Sequence, residues 1–184
     1  MRHTITPPIG YPFYLPARII HDLVTNEIVL RLAEAIGERG WDVEWVGKAE
    51  ATLYESGQQH ALVEPDALIR FRRNGEERAF LLEYHNEEKP SHAENKVKQY
   101  ERAYADGDWR TAWEVETFPP VLAVCSHAIV RTGYVNAIQG RRTRCVYYGK
   151  MLKSILDGNV SDWVNISNNQ REDILPVFKE EKPL

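Results

Sequence analysis

Two carboxylates on a predicted β-hairpin are the residues of this sequence best placed to do chemistry. Apolar-rich runs flank Asn74-Gly75, a dipeptide typical of two-residue hairpin turns. With these residues in the turn, Asp66 lies directly opposite Glu83 on one face of the sheet. Like charges in that position destabilise a strand pair, so the pair predicts a bound cation. Mg²⁺ or Mn²⁺ suits carboxylate and water oxygens. The alternative, a solvated charged face, is disfavoured by the apolar run 79–82 before Glu83.

Glu27 is the candidate for a third metal-binding carboxylate. It lies four residues after Leu23 and three before Leu30, on what we expect to be the apolar side of the first helix. A carboxylate is costly there unless it has a partner. Glu27 therefore either completes the metal site from above the sheet or forms a helix-edge ion pair with Arg31, and the sequence leaves both open.

Two basic side chains are candidates to assist the carboxylates. Lys96 shares one face of a predicted helix with Val97 and other apolar residues. It either reaches the carboxylates, where it would hold a water or stabilise a phosphate, or is a snorkelling lysine beside the apolar stripe. His85 falls opposite Glu64 by the hairpin count, and three roles stay open for it: partner of Glu64, metal ligand or base, or surface histidine. Two further histidines, His21 and His127, are not part of any spacing pattern that indicates a chemical role.

Two basic clusters could contact a phosphate backbone. Their members are Arg70, Arg72 and Arg73, and separately Arg141, Arg142, Arg144, Lys150 and Lys153. For any single residue among them, a solvated charged surface is the simpler interpretation. The net charge of −4 excludes a general nucleic-acid-coating protein. Nucleic-acid binding would therefore depend on local basic patches or on metal ions that offset the acidic site.

The elements that must position these residues alternate between helices and strands. The pattern predicts a helix over 17–39, strands over 41–46 and 51–56, and the hairpin strands 64–72 and 79–85. A helix over 90–104, an apolar strand over 121–126, a helix over 128–139, a strand over 143–149 and a helix over 150–157 follow. Without the weaker strand 51–56 and the short last helix, the order is αβββαβαβ, which indicates an α/β protein with a mixed sheet flanked by helices.

Composition and segment boundaries indicate one cytoplasmic domain. We expect that domain at 18–165, between a Pro-rich arm at 1–17 and a polar tail at 166–184. Cys125 and Cys145 lie in apolar runs without metal-ligand spacing, which favours buried thiols. No apolar run approaches the roughly 18 residues needed to cross a bilayer, so we expect no membrane segment.

The hairpin carboxylates resemble the core of the PD-(D/E)xK nucleases. Members of that superfamily carry their metal carboxylates on an antiparallel hairpin and often add a glutamate from the preceding helix. The resemblance matches Asp66 with the motif's aspartate, Glu83 with its second acid and Glu27 with the helix acid. His85 occupies the motif's lysine position, which is a departure from the pattern.

The helix that follows the hairpin extends this resemblance. Some members move the motif lysine onto that helix, and Lys96-x-x-x-Tyr100 resembles their helix signature. More narrowly, the order and spacing of several segments over roughly 20–165 resemble the plasmid replication-relaxation family. Those segments are HDLVTNEIVLRL (21–32), PDALIRF, FLLEYH, KVKQYERAY, PPVLAVCS and SDWVN. Members of that family commonly carry a winged-helix DNA-binding domain in front, where this chain has the Pro-rich arm.

The resemblance implies a restriction-endonuclease-like fold and a Mg²⁺- or Mn²⁺-dependent DNA endonuclease or nickase in plasmid or mobile-element DNA processing. The implied catalytic residues are Asp66, Glu83, Lys96, His85 and Glu27, with Asp66, Glu83 and Glu27 as metal ligands. The expected DNA contacts are Arg70, Arg72, Arg141, Arg142 and Tyr100. Expected partners are DNA, a second copy of the chain and a separate DNA-targeting or replication protein.

Two alternatives to the nuclease hypothesis follow from the same sequence. The first is a nuclease fold retained without catalysis as a DNA- or protein-binding module, which the histidine at the motif's lysine position favours. The second is a small interaction protein that pairs through the aromatic residues of its arm, Tyr11, Phe13 and Tyr14.

Overall fold

A mixed sheet of seven strands lies at the centre of the fold. The computed structural model describes residues 16–55, 60–139 and 141–174. Its strands are β1 (Asp42–Gly47), β2 (Leu53–Tyr54), β3 (Ala61–Val63), β4 (Ala67–Arg73), β5 (Glu76–His85), β6 (Val121–Cys125), β7 (Tyr147–Met151), β8 (Asp162–Asn165) and β9 (Arg171–Asp173). The central sheet has the order β1-β4-β5-β6-β7-β8-β9, and β2 pairs with β3 in a separate sheet of two strands.

Helices connect the parallel strands and cover both faces of the sheet. They are α1 (Pro16–Gly37), α2 (Lys48–Ala51), α3 (Pro90–Asp106), α4 (Trp109–Ala112), α5 (Ala128–Ile138) and α6 (Leu152–Leu156). The strands β5, β6 and β7 are parallel to one another, and the other neighbours in the central sheet are antiparallel. The predicted class, an α/β protein with a mixed sheet flanked by helices, is confirmed.

The hairpin of β4 and β5 has the predicted register. Asn74 and Gly75 have φ values of 50° and 80°, and positive φ at both central residues is the mark of a type I′ turn. Arg73 pairs with Glu76, and the ladder continues to Ala67 and Leu82. Because the ladder stops there, the residue before Ala67 is free to place its side chain at the end of the sheet.

Each face of the sheet has its own hydrophobic core. On one face, buried side chains of α1 pack against β4, β5 and β6, and the members include Ile28, Leu32, Ile36, Ile69, Phe71, Leu82 and Val124. On the other face, α3 and α5 pack against the same strands through Ala93, Val97, Tyr100, Tyr134, Leu81, Val121 and Ala123. The sheet therefore lies between α1 on one face and α3 on the other.

The contact between α3 and α5 requires a glycine. A Cβ atom at Gly133 would lie 2.5 Å from the carbonyl oxygen of Pro90, the first residue of α3. Backbone cannot yield as a flexible side chain can, so only glycine permits this approach. Gly133 thereby determines how close the first turn of α3 lies to α5.

The structure corrects the expected orientation of α1. Leu23 and Leu30 are 63% and 51% exposed, so the side of the helix that carries Glu27 faces away from the core. The buried side instead contains Thr25, Ile28 and other residues at helical spacing. The helix has apolar residues on all its sides, so their spacing alone does not distinguish the buried side from the exposed one.

The sheet continues into the segment that we expected to be a polar tail. β8 pairs with β7, and β9 (Arg171–Asp173) pairs with β8 as the last strand of the sheet. The predicted strand 143–149 is displaced to Tyr147–Met151, and α1 begins at Pro16, inside the expected arm. The arm up to residue 15 and the final segment 175–184 lie outside the described residues. Cys125 and Cys145 are buried free thiols, as predicted.

No helix in the described part of the chain is long and apolar enough to cross a membrane.

Candidate active site

A cleft of about 540 Å³ opens where β5 ends, between the beginnings of α1 and α3. Its volume is within the range typical of ligand sites. The charged and titratable side chains that line it are Arg18, His21, Asp22, Lys48, Asp66, Glu83, His85, Glu87, His92 and Lys96. Ligands commonly bind at the carboxyl ends of parallel strands, where connecting segments diverge. This cleft is therefore the candidate active site.

Glu83 is the most buried charged group of the cleft. It is 1% exposed, and its Oε1 accepts hydrogen bonds from Lys96 Nζ at 2.9 Å and from the Tyr100 hydroxyl at 2.5 Å. Burial raises the pKa of Glu83, and the nearby charge of Asp66 raises it further, against the opposing effect of Lys96. Both carboxylates thus lie close enough to interact, and a cation between them would be stabilised.

Asp66 lies at the end of the sheet beside this glutamate. Its backbone N–H donates to the Leu82 carbonyl at 2.9 Å, and its Oδ2 accepts the Tyr84 N–H at 2.8 Å. The Asp66 carboxylate therefore accepts a backbone hydrogen bond from β5 just beyond the point where the pairing of β4 with β5 ends. The two acids come together in the cleft as predicted, although Asp66 precedes β4 and is not paired with Glu83 in the ladder.

Lys96 reaches the carboxylates from the second turn of α3. Its Nζ donates to the Glu64 carbonyl at 2.7 Å as well as to Glu83. Burial opposes the charge on this amine, but Glu83 and Asp66 outweigh it and raise the pKa of Lys96. The ammonium therefore stays protonated beside Glu83. Of the two roles that the sequence left open, the structure shows the one in which the lysine reaches the acids.

His85 is buried, and its environment differs from two of the three expected arrangements. It is 3% exposed, its Nδ1 lies 2.8 Å from Glu87 Oε1, and its Nε2 lies 2.8 Å from the Tyr134 hydroxyl. The surface alternative is wrong. The pairing with Glu64 is also wrong, because Glu64 forms an ion pair with Lys48 at 2.8 Å.

Glu27 lies outside the cleft. Its Oε1 accepts a hydrogen bond from Arg31 Nε at 2.6 Å, which is the helix-edge ion pair that the sequence left as the alternative. The part of α1 that faces the cleft is about one and a half turns earlier, where His21 Nε2 lies 3.0 Å from the Tyr84 carbonyl oxygen and 3.5 Å from Asp66 Oδ2. The structure therefore does not bring Glu27 to the proposed metal ligands.

Two of the expected DNA contacts are buried in the protein. Tyr100 is fully buried against Glu83, and Arg70 is 7% exposed, with its Nη2 donating to the Trp113 carbonyl at 2.8 Å. Neither side chain can reach a phosphate backbone, so these two predictions are wrong. Their real roles are to hold Glu83 and to tie β4 to the segment that follows α4.

The other three expected DNA contacts are exposed but distant from the cleft. Arg72 lies near the hairpin turn, where it forms ion pairs with Glu77 and Glu44. Arg141 and Arg142 follow the far end of α5, and α5 begins next to the end of β6 and leads away from it. The structure therefore assigns none of these arginines to the cleft.

Several residues of the cleft belong to no sequence motif that marked them as functional. His21, Glu87 and His92 belong to three different segments, and only tertiary structure brings them to one place. A pattern that could have revealed two of them is the spacing His85, Glu87 and His92, with alternating acid and base after a buried strand.

The acids of the cleft fit a magnesium-like cation. Within residues 16–55, 60–139 and 141–174, no group of three or more histidine, cysteine or acidic side chains is arranged to hold a metal. Mg²⁺ usually takes only one or two protein carboxylates and keeps several waters. Asp66 and Glu83 meet that need, because each accepts hydrogen bonds from the described residues on one oxygen only.

Comparison with protein-family models, with curated proteins and with solved structures finds no match to this chain. The fold and the cleft define a mixed α/β protein with a carboxylate pair and a lysine at the end of a parallel strand. Any statement about its reaction therefore depends on the chemistry of these residues.

Proposed function

We propose that this protein is a divalent-metal-dependent endonuclease or nickase of restriction-endonuclease-like fold that hydrolyses phosphodiester bonds in DNA, in the processing of plasmid or mobile-element DNA. The observation that carries the proposal is the arrangement of Lys96 and Tyr100 on the buried carboxylate of Glu83, next to Asp66, at the mouth of an open cleft. The motif resemblance of Asp66, Glu83 and Lys96 supports the same reaction class.

Asp66 and Glu83 are the residues that would hold the metal. Mg²⁺ bound at such a site would activate water and neutralise the charge of the phosphate. Glu27 has no part in the proposal, since its carboxylate binds Arg31 outside the cleft. Glu83 is well oriented for a metal ligand because Lys96 and Tyr100 hold one of its oxygens in place.

The cations of the cleft would bind the phosphates of the substrate and neutralise their charge. Lys96 remains protonated, so it cannot accept a proton from water at neutral pH, and it would neutralise charge that develops on the phosphoryl group. Arg18 and Lys48 line the same cleft and would contact phosphates on either side of the scissile bond. Because the protein has a net charge of −4, DNA binding would depend on these cations and on the metal that offsets the carboxylates of the cleft.

A supercoiled-plasmid assay tests the proposal. Wild-type protein is incubated with Mg²⁺ or Mn²⁺, and parallel reactions contain EDTA. The decisive variant is Glu83→Gln, and the control is Glu94→Gln, which changes a glutamate of α3 that lies outside the cleft. We expect metal-dependent nicking or linearisation that is lost with Glu83→Gln and retained with Glu94→Gln.

A binding measurement makes the test independent of turnover. Mg²⁺ should raise the melting temperature of wild-type protein and of Glu94→Gln, and should have a much smaller effect on Glu83→Gln. Well-folded protein that neither binds metal nor cuts supercoiled, linear or single-stranded DNA would refute the proposal. DNA binding without either property would support the non-catalytic binding module instead.

A further inference from the structure

One carboxylate of the cleft bridges two histidines. Glu87 Oε1 lies 2.8 Å from His85 Nδ1 and 3.1 Å from His92 Nδ1. Burial works against a charge on Glu87, but the hydrogen bond and charge of His85, a backbone hydrogen bond and the hydrogen bond of His92 lower its pKa to about 2. Glu87 is therefore an anion at neutral pH.

The hydrogen bonds around this carboxylate determine which histidine nitrogens are occupied. Ionised Glu87 can only accept, so His85 and His92 must both donate from Nδ1. The second nitrogen of His85 is already in contact with the Tyr134 hydroxyl at 2.8 Å, inside the core. His92 differs, because it is half exposed and its Nε2 makes no hydrogen bond to the described residues. Its Nε2 is thus available to a bound molecule.

The position of His92 brings this nitrogen to the same cleft as the acids. His92 and Lys96 are four residues apart on α3, so they are neighbours on one side of the helix. Lys96 contacts Glu83, and His92 lies about 6 Å earlier along the helix axis at 1.5 Å per residue. Both side chains line the cleft, so a phosphodiester bound there can contact both.

Building on the proposed phosphodiester hydrolysis, we propose that His92 is its general acid: held by Glu87 through Nδ1, it donates the proton on Nε2 to the leaving oxygen. In this step the oxygen of water forms a bond to phosphorus as the bond from phosphorus to the leaving oxygen breaks. The leaving oxygen takes the Nε2 proton and departs as a hydroxyl group. The proton lost by the attacking water passes to solvent, from which His92 is protonated again.

The other histidines of the cleft are less suited to this step. His21 has Nε2 against the Tyr84 carbonyl oxygen at 3.0 Å and Nδ1 3.6 Å from Asp22. His85 has both nitrogens engaged within the protein. Only His92, among the histidines of the described cleft, combines a supporting carboxylate with an available nitrogen.

Replacing the leaving oxygen by sulfur tests the role of His92 directly. The wild-type scissile linkage is first mapped, and an oligonucleotide is then made with sulfur as the leaving atom at that linkage. A thiolate leaves without being protonated, so a general acid contributes little to its departure. Rates are measured in Mn²⁺ on both substrates for wild type, His92→Gln and the matched control His127→Gln. His127 is an exposed histidine that lies outside the cleft and pairs with Glu88 at 3.5 Å.

We expect His92→Gln to lose about 100- to 10,000-fold in rate on the oxygen substrate and much less on the sulfur substrate. His127→Gln should match wild type on both. His92→Gln that equals wild type on the oxygen substrate, or that loses the same factor on both substrates, overturns the general-acid role while the proposed nuclease function stands. Wild-type protein that cuts neither substrate overturns the proposed function, and the role of His92 with it.

The sulfur substrate also separates the positioning role of Glu87 from a merely structural one. Glu87 holds His92 through Nδ1, so Glu87→Gln should lose rate on the oxygen substrate and much less on the sulfur substrate. An equal loss on both substrates would show that Glu87 does not act through His92.

Discussion

Replacing Lys96 by methionine should destabilise the protein in a pH-dependent manner. The variant removes one partner of a buried ion pair, since the side chains of Glu83 and Lys96 are 2% and 22% exposed and lie 2.9 Å apart. Breaking such a pair from one side costs about 3–5 kcal/mol of unfolding free energy, because a charge is left buried without its partner. The hydrogen bond from Tyr100 remains on Glu83 at 2.5 Å, so we expect about 3 kcal/mol at pH 8.

The direction of the pH effect follows from the titration of Glu83. Burial already raises the pKa of this carboxyl above its ordinary value of 4.5, and loss of the lysine charge raises it further. An acid whose pKa is raised by folding stabilises the folded state only where it is protonated, and that stability disappears as pH rises through the folded pKa. The deficit of Lys96→Met should therefore be small near pH 4.5 and grow toward pH 8.

Urea unfolding followed by tryptophan fluorescence measures the effect, since Trp113 and Trp163 are fully buried. The matched control is Lys98→Met, which changes an exposed lysine of the same helix and should alter stability by less than about 0.5 kcal/mol. The double variant Glu83→Gln with Lys96→Met should be more stable at pH 8 than Lys96→Met alone, because no charge is left buried. A deficit at pH 8 equal to that of Lys98→Met, or one that grows toward low pH, would refute the reasoning.

Three further variants or reagents test other parts of the structure. Arg70→Met should lose about 1–3 kcal/mol of unfolding free energy, because the buried Trp113 carbonyl loses its hydrogen-bond donor. The DNA affinity of this variant, measured by fluorescence anisotropy, should stay unchanged. A loss of affinity at unchanged stability would contradict the structural role of Arg70. Gly133→Ala should cost about 1–3 kcal/mol in urea unfolding, since its Cβ would lie 2.5 Å from the Pro90 carbonyl oxygen, and an unchanged midpoint would show that α3 can move away freely. Burial raises the pKa of Cys125 to about 12, so iodoacetamide at pH 8 should modify this thiol only after unfolding, and rapid labelling of native protein by mass spectrometry would be inconsistent with the fold.

Local sequence patterns predicted the parts of the site that depend on neighbours along the chain. The register of β4 and β5 follows from the Asn74-Gly75 turn by counting, because the side-chain period of a strand leaves no freedom once the turn is placed. The helix α3 likewise begins at a proline and ends before a glycine, close to its predicted limits. Helical spacing from that start puts Lys96 on the face directed at the sheet.

The packing of α1 could not be predicted in the same way. Apolar residues lie on both sides of this helix, so a hydrophobic stripe does not identify the buried one. The interpretation based on Leu23 and Leu30 placed Glu27 on the buried side of the helix, as a candidate metal ligand. Contact with the sheet instead buries the Ile28 side, and the cleft receives His21.

By itself, the sequence determined the hairpin, the apolar strand β6, the helix α3 and the two acids that they carry, because turn chemistry and side-chain period act over a few residues. Only tertiary structure decided that Arg70 and Tyr100 are buried, that β9 extends the sheet, and that Glu87 bridges two histidines beside Lys96. These contacts join segments whose separation in sequence carries no periodic signal. Their free energies come from burial and charge in the assembled fold, which a local pattern does not contain.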